Sequence, residues 1–380
     1  MKDLSESRVL IVDDARSNVD ILVDALRHEY KLAVALSGES ALESIARNPP
    51  DLVLLDILMP GIDGYEVCRR LRAAPETREI PVMFLSSLED VEKKTLGFEV
   101  GANDYLTKPF ELLEVKARVR SLLKAKAYSE AIQEKIASEL RIAREIQLGM
   151  LPSDIAASTA GMGIELETFI EPARAVGGDL YEVLRTDDGR LVIVLGDVSG
   201  KGIPAALFMA VTMTLVRTMG FRYREPDEIV RQVSEALARQ NSRDMFVTLF
   251  CAIYDPAEGR ITCASAAHPS PALLRPGFPP SLPVEATGGL AGIEPGLQLP
   301  RSSLELKPGD TLLLYTDGVT EAMNEEDALF GDERLLAHLA AEPGKSAAET
   351  VSRLVGALRG FVGKREASDD IAILALRRQS

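Results

Sequence analysis

The first third of the chain alternates solid apolar runs with stretches of helical spacing. Arg8 to Val12 is a short β-branched run ending in Asp13 and Asp14, and Asn18 to Arg27 follows with Val19, Leu22, Val23 and Leu26 three or four residues apart. Leu52 to Leu55, ending in Asp56, and Val82 to Leu85, ending in Ser86 and Ser87, repeat the theme with amphipathic segments between them. Strands that are apolar throughout, separated by helices, predict a parallel sheet covered on both faces.

From about Phe110 to Met150 proline and glycine vanish except for Gly149, while Ile132, Ile136, Leu140, Ala143, Ile146 and Met150 recur at steps of three and four. That spacing predicts one long helix, a candidate for pairing as a coiled coil, which Pro152 ends. Past Gly161 the texture changes. Strands are expected at Leu191 to Leu195, Val247 to Tyr254, Thr311 to Tyr315 and Ile371 to Leu376, with helices after Pro204 and Pro226 and at Ala347 to Val362. Strands and helices are segregated, which favours an α+β layered domain. The expected division is 1–123, a helical linker 124–155, and 156–380.

Composition narrows the function. A chain of 380 residues has room for two cores. Its 43 basic and 58 acidic residues leave −15, which disfavours nucleic acid as a partner. Cys68, Cys251 and Cys263 form no CxxC pair, so neither a disulfide framework nor a zinc site is indicated and a reducing cytoplasm is the expected home. The longest apolar stretch, Ile203 to Val216, contains Pro204 and is shorter than the roughly 20 residues of a membrane span, so no membrane segment is expected.

The candidate chemistry begins with Asp13, Asp14 and Asp56, which fall at the C-terminal ends of two predicted parallel strands, where open α/β sheets form their binding crevice. Crowded carboxylates call for a cation, and magnesium suits a site of a few carboxylates, waters and a phosphate. Lys108 brings a positive charge to the same edge. Singly, Asp14 reads as a helix cap and Asp56 as the start of a turn. Together with Met59-Pro60-Gly61, Asp63-Gly64, Ser86-Ser87 and Lys108-Pro109 they stand in order at strand ends, and the stretch Arg8 to Leu123 resembles a bacterial response-regulator receiver domain. The resemblance implies a flavodoxin-like doubly wound sheet with Asp56 as phosphoryl acceptor and Asp13, Asp14 and Asp56 around Mg2+. It also implies that Ser86 and Lys108 contact the phosphoryl group, that Tyr105 is an aromatic switch, and that a histidine kinase lies upstream.

The second half carries four acidic loops, Gly177-Gly178-Asp179, Gly196-Asp197-Val198-Ser199-Gly200-Lys201-Gly202, Thr316-Asp317-Gly318 and Ser368-Asp369-Asp370. Carboxylates converging from distant strand ends are what a two-metal oxygen site requires. The phosphate-loop pattern fails, because position 195 is Leu and Gly202 follows Lys201. Asp317-Gly318 alone reads as a turn, and His268 alone as a structural residue with no catalytic role. With Ala-His-Pro, Tyr-Thr-Asp-Gly-Val-Thr-Glu-Ala and Asp-Asp-Ile, the ordered motifs resemble the PPM-type serine/threonine phosphatases of the bacterial stress-response and sporulation branch.

That likeness implies an αββα sandwich holding two Mn2+ or Mg2+, with Asp179, Asp197, Asp317 and Asp369 as ligands acting through a metal-activated water and the Val198 carbonyl completing one shell. One departure stands out: Ser265-Ala266-Ala267-His268 replaces Asn-Ala-Gly-His, which puts loop geometry in question; Arg174, a candidate for phosphate, reads more readily as a surface residue. The segment Ala143 to Pro152 resembles the regulatory helix ahead of these domains. The implied partners are a phosphorylated anti-sigma-factor antagonist as substrate and a second copy of the chain through the linker. A catalytically idle module that sequesters a partner, and a phosphatase of small esters, are the alternatives.

Overall fold

The computed structural model describes residues 3–86, 97–109, 111–239, 241, 244–284, 288–293, 295–341 and 344–379. Ser87 and Phe110 lie outside the described residues. Two compact units divide the chain, Met1–Ser138 and Glu139–Ser380.

In the first unit β1 (Arg8–Val12), β2 (Lys31–Ala35), β3 (Leu52–Asp56), β4 (Val82–Ser86) and β5 (Asp104–Thr107) form a parallel sheet in the order β2-β1-β3-β4-β5, the flavodoxin-like order. Alternation along each strand divides the core in two. Val9, Ile11, Leu52 and Leu54 pack with Leu22, Leu26, Val115 and Val119 on one face, and Leu10, Val12, Val53 and Leu55 pack with Ala41, Ile45, Val67 and Leu71 on the other. Burial on both faces is why these strands read as unbroken apolar runs.

One uninterrupted helix runs from Leu112 to Met150. Its first turns supply Val115, Val119 and Leu123 to the core of the first unit, while Tyr128, Ile132, Ile136 and Ile146 are exposed.

The second unit stacks two antiparallel sheets. One has β7 (Leu180–Arg185), β8 (Leu191–Val198), β9 (Val247–Asp255), β10 (Arg260–Ala266) and β12 (Ser302–Glu305) in the order β12-β10-β9-β8-β7. The other has β6 (Ile164–Glu171), β11 (Ala272–Leu274), β13 (Thr311–Tyr315) and β14 (Ile371–Arg378) in the order β11-β13-β14-β6. Leu312, Leu314, Leu374 and Leu376 point between the sheets, whereas Leu313, Tyr315, Ile373 and Ala375 meet Val351, Leu354 and Leu358 of the helix Ala347–Val362. Helices Ile203–Arg222 and Pro226–Ala238 add Met209, Met213, Ile229 and Val233 to the first core. Helix, sheet, sheet and helix make the αββα sandwich.

The helix Ile203–Arg222 extends six residues past the apolar run read from the sequence, and with mean hydropathy 1.4 it is long and apolar enough, by length and composition, to cross a membrane. Met209, Met213 and Val216 fill the core beside β7 and β8, whereas Ile203, Leu207, Val211 and Phe221 of the same helix are exposed.

Candidate active site

In the first unit the carboxylates meet as expected. Asp13, Asp14 and Asp56 bring one oxygen each within 4.8 Å of one another, the one such set of metal-capable side chains among the described residues. Lys108 Nζ lies 2.7 Å from Asp13 Oδ2 and 2.9 Å from Asp56 Oδ2. Burial opposes the lysine's charge, but its hydrogen bonds to the two carboxylates outweigh this and raise its pKa. Burial also raises the Asp56 pKa, with Lys108 pulling the other way. Asp14 caps nothing; Asp13 Oδ1 instead accepts from the Ala15 backbone N–H at 2.9 Å and Asn18 Nδ2 at 3.1 Å. Ser86 is buried at the end of β4, and Tyr105 stacks edge to face on Phe98 with centroids 5.9 Å apart.

In the second unit both sheets deliver acids to one place. Asp179 precedes β7 and Asp197 lies near the end of β8, which β7 pairs antiparallel with Leu180 opposite Gly196. Asp317 follows β13 in a single helical turn, Asp317–Thr320, rather than the turn read from Asp-Gly, and Asp369 and Asp370 precede β14. Thr316 ties the sheets together: its hydroxyl donates to Asp179 Oδ2 at 2.8 Å and accepts from the Ala372 backbone N–H at 2.9 Å. Gly318 permits this closeness, since a Cβ there would stand 1.8 Å from the Asp370 carbonyl oxygen. A Cβ on Gly178 would likewise come within 2.7 Å of the Val198 carbonyl oxygen, which therefore faces the Asp179 loop.

Crowding is visible in the ionisation. Burial, then the charges of Asp197, Asp370 and Asp317, hold the Asp179 pKa well above the ordinary value. Asp197 is pushed up to about 7 by burial and by Asp317 and Asp369. Burial, Glu321 and Asp369 raise Asp317. Asp369 pairs with Lys201 Nζ at 3.0 Å, and the same ammonium donates to the Ser368 carbonyl. Among the described residues no three of these acids bring their oxygens as close together as the first cluster does. The donor set fits Mn2+ or Mg2+: it is all oxygen, and Asp179 Oδ1 is buried with no hydrogen-bond partner, the position an ion would satisfy.

Three residues of this site escaped the sequence reading. Asp370, adjacent to Asp369, turns inward and accepts from the Ala173 and Gly178 backbone N–H groups at 2.7 and 2.6 Å. Thr316 is the second. The third is Gln147 of the long helix, buried, which donates to the Gly177 carbonyl at 2.6 Å and accepts from the Gly177 N–H at 3.2 Å. Its signals in the sequence are its place in the segment Ala143 to Pro152 and its polar character beside an apolar helical stripe. Asp370→Ala should leave two N–H groups without acceptors, lowering stability by about 1–3 kcal/mol in denaturant titration. Mn2+ binding should also weaken by roughly 10–100-fold; wild-type values in both would show that Asp370 does not hold the loop.

His268 stays apart from the acids. Its Nδ1 lies 2.8 Å from Thr248 Oγ1, and burial pushes its pKa down to about 3, so it is neutral. Ser265 closes the loop by hydrogen bonds to the His268 N–H and carbonyl. Ala267 sits there at φ 52°, the left-handed conformation that glycine adopts freely and alanine holds only under strain. Arg174 is exposed.

Comparison with known proteins agrees with this architecture. Residues 187–379 match the family model "Stage II sporulation protein E (SpoIIE)", and residues 9–120 match the response regulator receiver domain. The response regulator PleD of Caulobacter vibrioides is 42% identical over 137 residues, which are 36% of this chain and 30% of that protein. The chain thus spans under a third of that relative's length. The SiaA-PP2C domain of Pseudomonas aeruginosa superimposes with TM-score 0.56 at 24% identity, over 65% of this chain and 98% of that one, a likeness of fold. The RsbU and RsbW domains of Rv1364c from Mycobacterium tuberculosis give TM-score 0.50 at 27% identity, over 57% and 60%. The SpoIIE model covers more than half of the chain, and this protein belongs to the SpoIIE family, with a receiver domain ahead of its PPM-type phosphatase domain.

Proposed function

We propose that the protein is a response regulator whose output is metal-dependent hydrolysis of phosphoserine or phosphothreonine in a partner protein, controlled by phosphorylation of Asp56. The observation that supports this reading is that Asp179, Asp197, Asp317 and Asp369, from the ends of two sheets, lie near enough for their charges to act on one another, with one buried Asp179 oxygen left without a hydrogen-bond partner. We assign the receiver to 1–123, the linker to 124–155 and the phosphatase to 156–380.

Asp179, Asp197, Asp317, Asp369 and the Val198 carbonyl would hold two Mn2+ or Mg2+ ions. When bound, these would neutralise the phosphoryl group and acidify a water for in-line attack. The chain's own part is positional. Thr316 fixes one Asp179 oxygen and leaves the other free, while Asp370 and Gln147 hold the Gly177-Gly178 loop. In the receiver, Asp56 would take the phosphoryl group from a histidine kinase, with Mg2+ at Asp13, Asp14 and Asp56 and with Lys108 and Ser86 against the phosphoryl oxygens. Tyr105 would respond to that contact. The likeness to the stress-response branch points to an anti-sigma-factor antagonist as substrate, and the exposed Ile132, Ile136 and Ile146 of the long helix suit pairing with a second copy.

The direct test is phosphate release from phosphoserine proteins in Mn2+, with and without acetyl phosphate. Release that ignores acetyl phosphate would remove the regulatory half of the proposal, and no release would remove the enzymatic half.

Acidity gives a separate check. Because the folded Asp197 pKa, about 7, exceeds its ordinary 3.8, its contribution to stability is complete below pH ~4 and is lost as pH rises through about 7. In EDTA the protein should therefore become more stable from pH 8 to pH 5.5, with Asp197 contributing about 1 kcal/mol per pH unit below pH ~7. A melting temperature that falls over this range contradicts the crowded-acid picture.

A further inference from the structure

The phosphatase domain has a second concavity beside the carboxylates. A cavity of about 350 Å³ lies between the β6 and β14 edge and the helix Ala347–Val362, bordered by the segment leading to Asp369. Gly318 and Asp369 line it and belong equally to the acidic cluster. The cavity therefore adjoins the carboxylates, where the phosphoryl group of a substrate would bind.

The walls state what fits. Phe169, Met323, Val355, Leu358 and Val362 make them apolar. Two guanidinium groups also line the cavity, but both are already engaged. Arg359 lies over the Phe169 ring, 5.9 Å from its centroid, and pairs with Glu171 at 2.7 Å. Arg365 pairs with Asp327 at 2.6 Å and donates to the Asn324 carbonyl at 2.8 Å. With its cations neutralised, the cavity offers apolar surface rather than a second anion site. Its volume lies near the lower end of the roughly 300–1,000 Å³ typical of ligand pockets, room for one large side chain.

We propose that this cavity receives an apolar side chain of the phosphoprotein substrate, close in sequence to the phosphorylated residue, and so selects which phosphoserines are hydrolysed. The proposal rests on the protein-phosphatase reading and adds a specificity pocket to it. Burying a leucine there offsets part of the cost of ordering the peptide, and the gain appears as discrimination between chains that differ only at that position.

The test uses phosphoserine peptides with leucine or alanine placed in turn at each flanking position, and p-nitrophenyl phosphate as an ester without a chain. In Mn2+ the full-length protein should prefer leucine at one position by roughly tenfold in kcat/KM. Ala367→Phe, at an exposed rim position, and Val362→Trp should each bring the leucine-to-alanine ratio to about one. The ratio is internal to each variant, so damage to the metal site cancels. A wild-type ratio near one at every position, or a preference that survives both substitutions, overturns the cavity's role while leaving the phosphatase reading intact. Failure to hydrolyse any peptide or p-nitrophenyl phosphate overturns that reading, and the pocket with it.

Discussion

Asp197→Asn is expected to reduce phosphate release by on the order of 10³-fold or more while making the metal-free protein more stable. Asparagine keeps the shape but removes one negative charge from a crowded, buried group. The lost ligand costs several kcal/mol of charge stabilisation in the transition state, which is a factor of about a thousand or greater in rate. The same change relieves repulsion from Asp317 and Asp369 in the absence of ions, so the melting temperature in EDTA should rise. Opposite signs in the two measurements separate a functional carboxylate from a structural one. Activity within tenfold of wild type, or a melting temperature that drops with activity, would count against the two-ion site.

Asp56→Asn should abolish phosphoryl incorporation from radiolabelled acetyl phosphate, and with it any change in phosphatase rate that the donor produces. Asp56 lies at the end of β3 with Lys108 2.9 Å from its carboxylate, so the nucleophile and the cation that would neutralise the incoming group are already in contact. Asparagine is a poor nucleophile of nearly the same size. Since Lys108 keeps its 2.7 Å partner Asp13, the lysine is not left buried and unpaired, and the variant should fold. Persistent labelling of Asp56→Asn, or an undiminished response to acetyl phosphate, would place the acceptor elsewhere.

The parts of this molecule that were readable in the sequence are those where one physical requirement dominates. Leu52 to Leu55 must be apolar on both faces because helices cover both, and the run ends where the chain reaches the crevice at Asp56. Ala347 to Val362 shows its period because one face meets the sheet. Edge strands gave weaker signals: β12 alternates half-buried and exposed residues over Ser302–Glu305 and resembles a loop. Asp369 and Asp370 could not be told apart in role, because neighbouring residues at a strand start face opposite ways and only tertiary placement sends Asp370 to the Gly178 N–H. Gln147 was illegible for a related reason. A helix surface acquires a buried polar position only once the loop it grips has been folded against it.

The run from Leu112 to Met150 has a mechanical consequence. At 1.5 Å per residue, 39 residues of unbroken helix amount to a rod of about 58 Å. Within it each peptide N–H bonds to the carbonyl four residues earlier, which makes a helix of this length stiff over its own span. Gln147, in the last turn, holds Gly177 by two hydrogen bonds, so any displacement of that turn carries with it the loop that leads to Asp179.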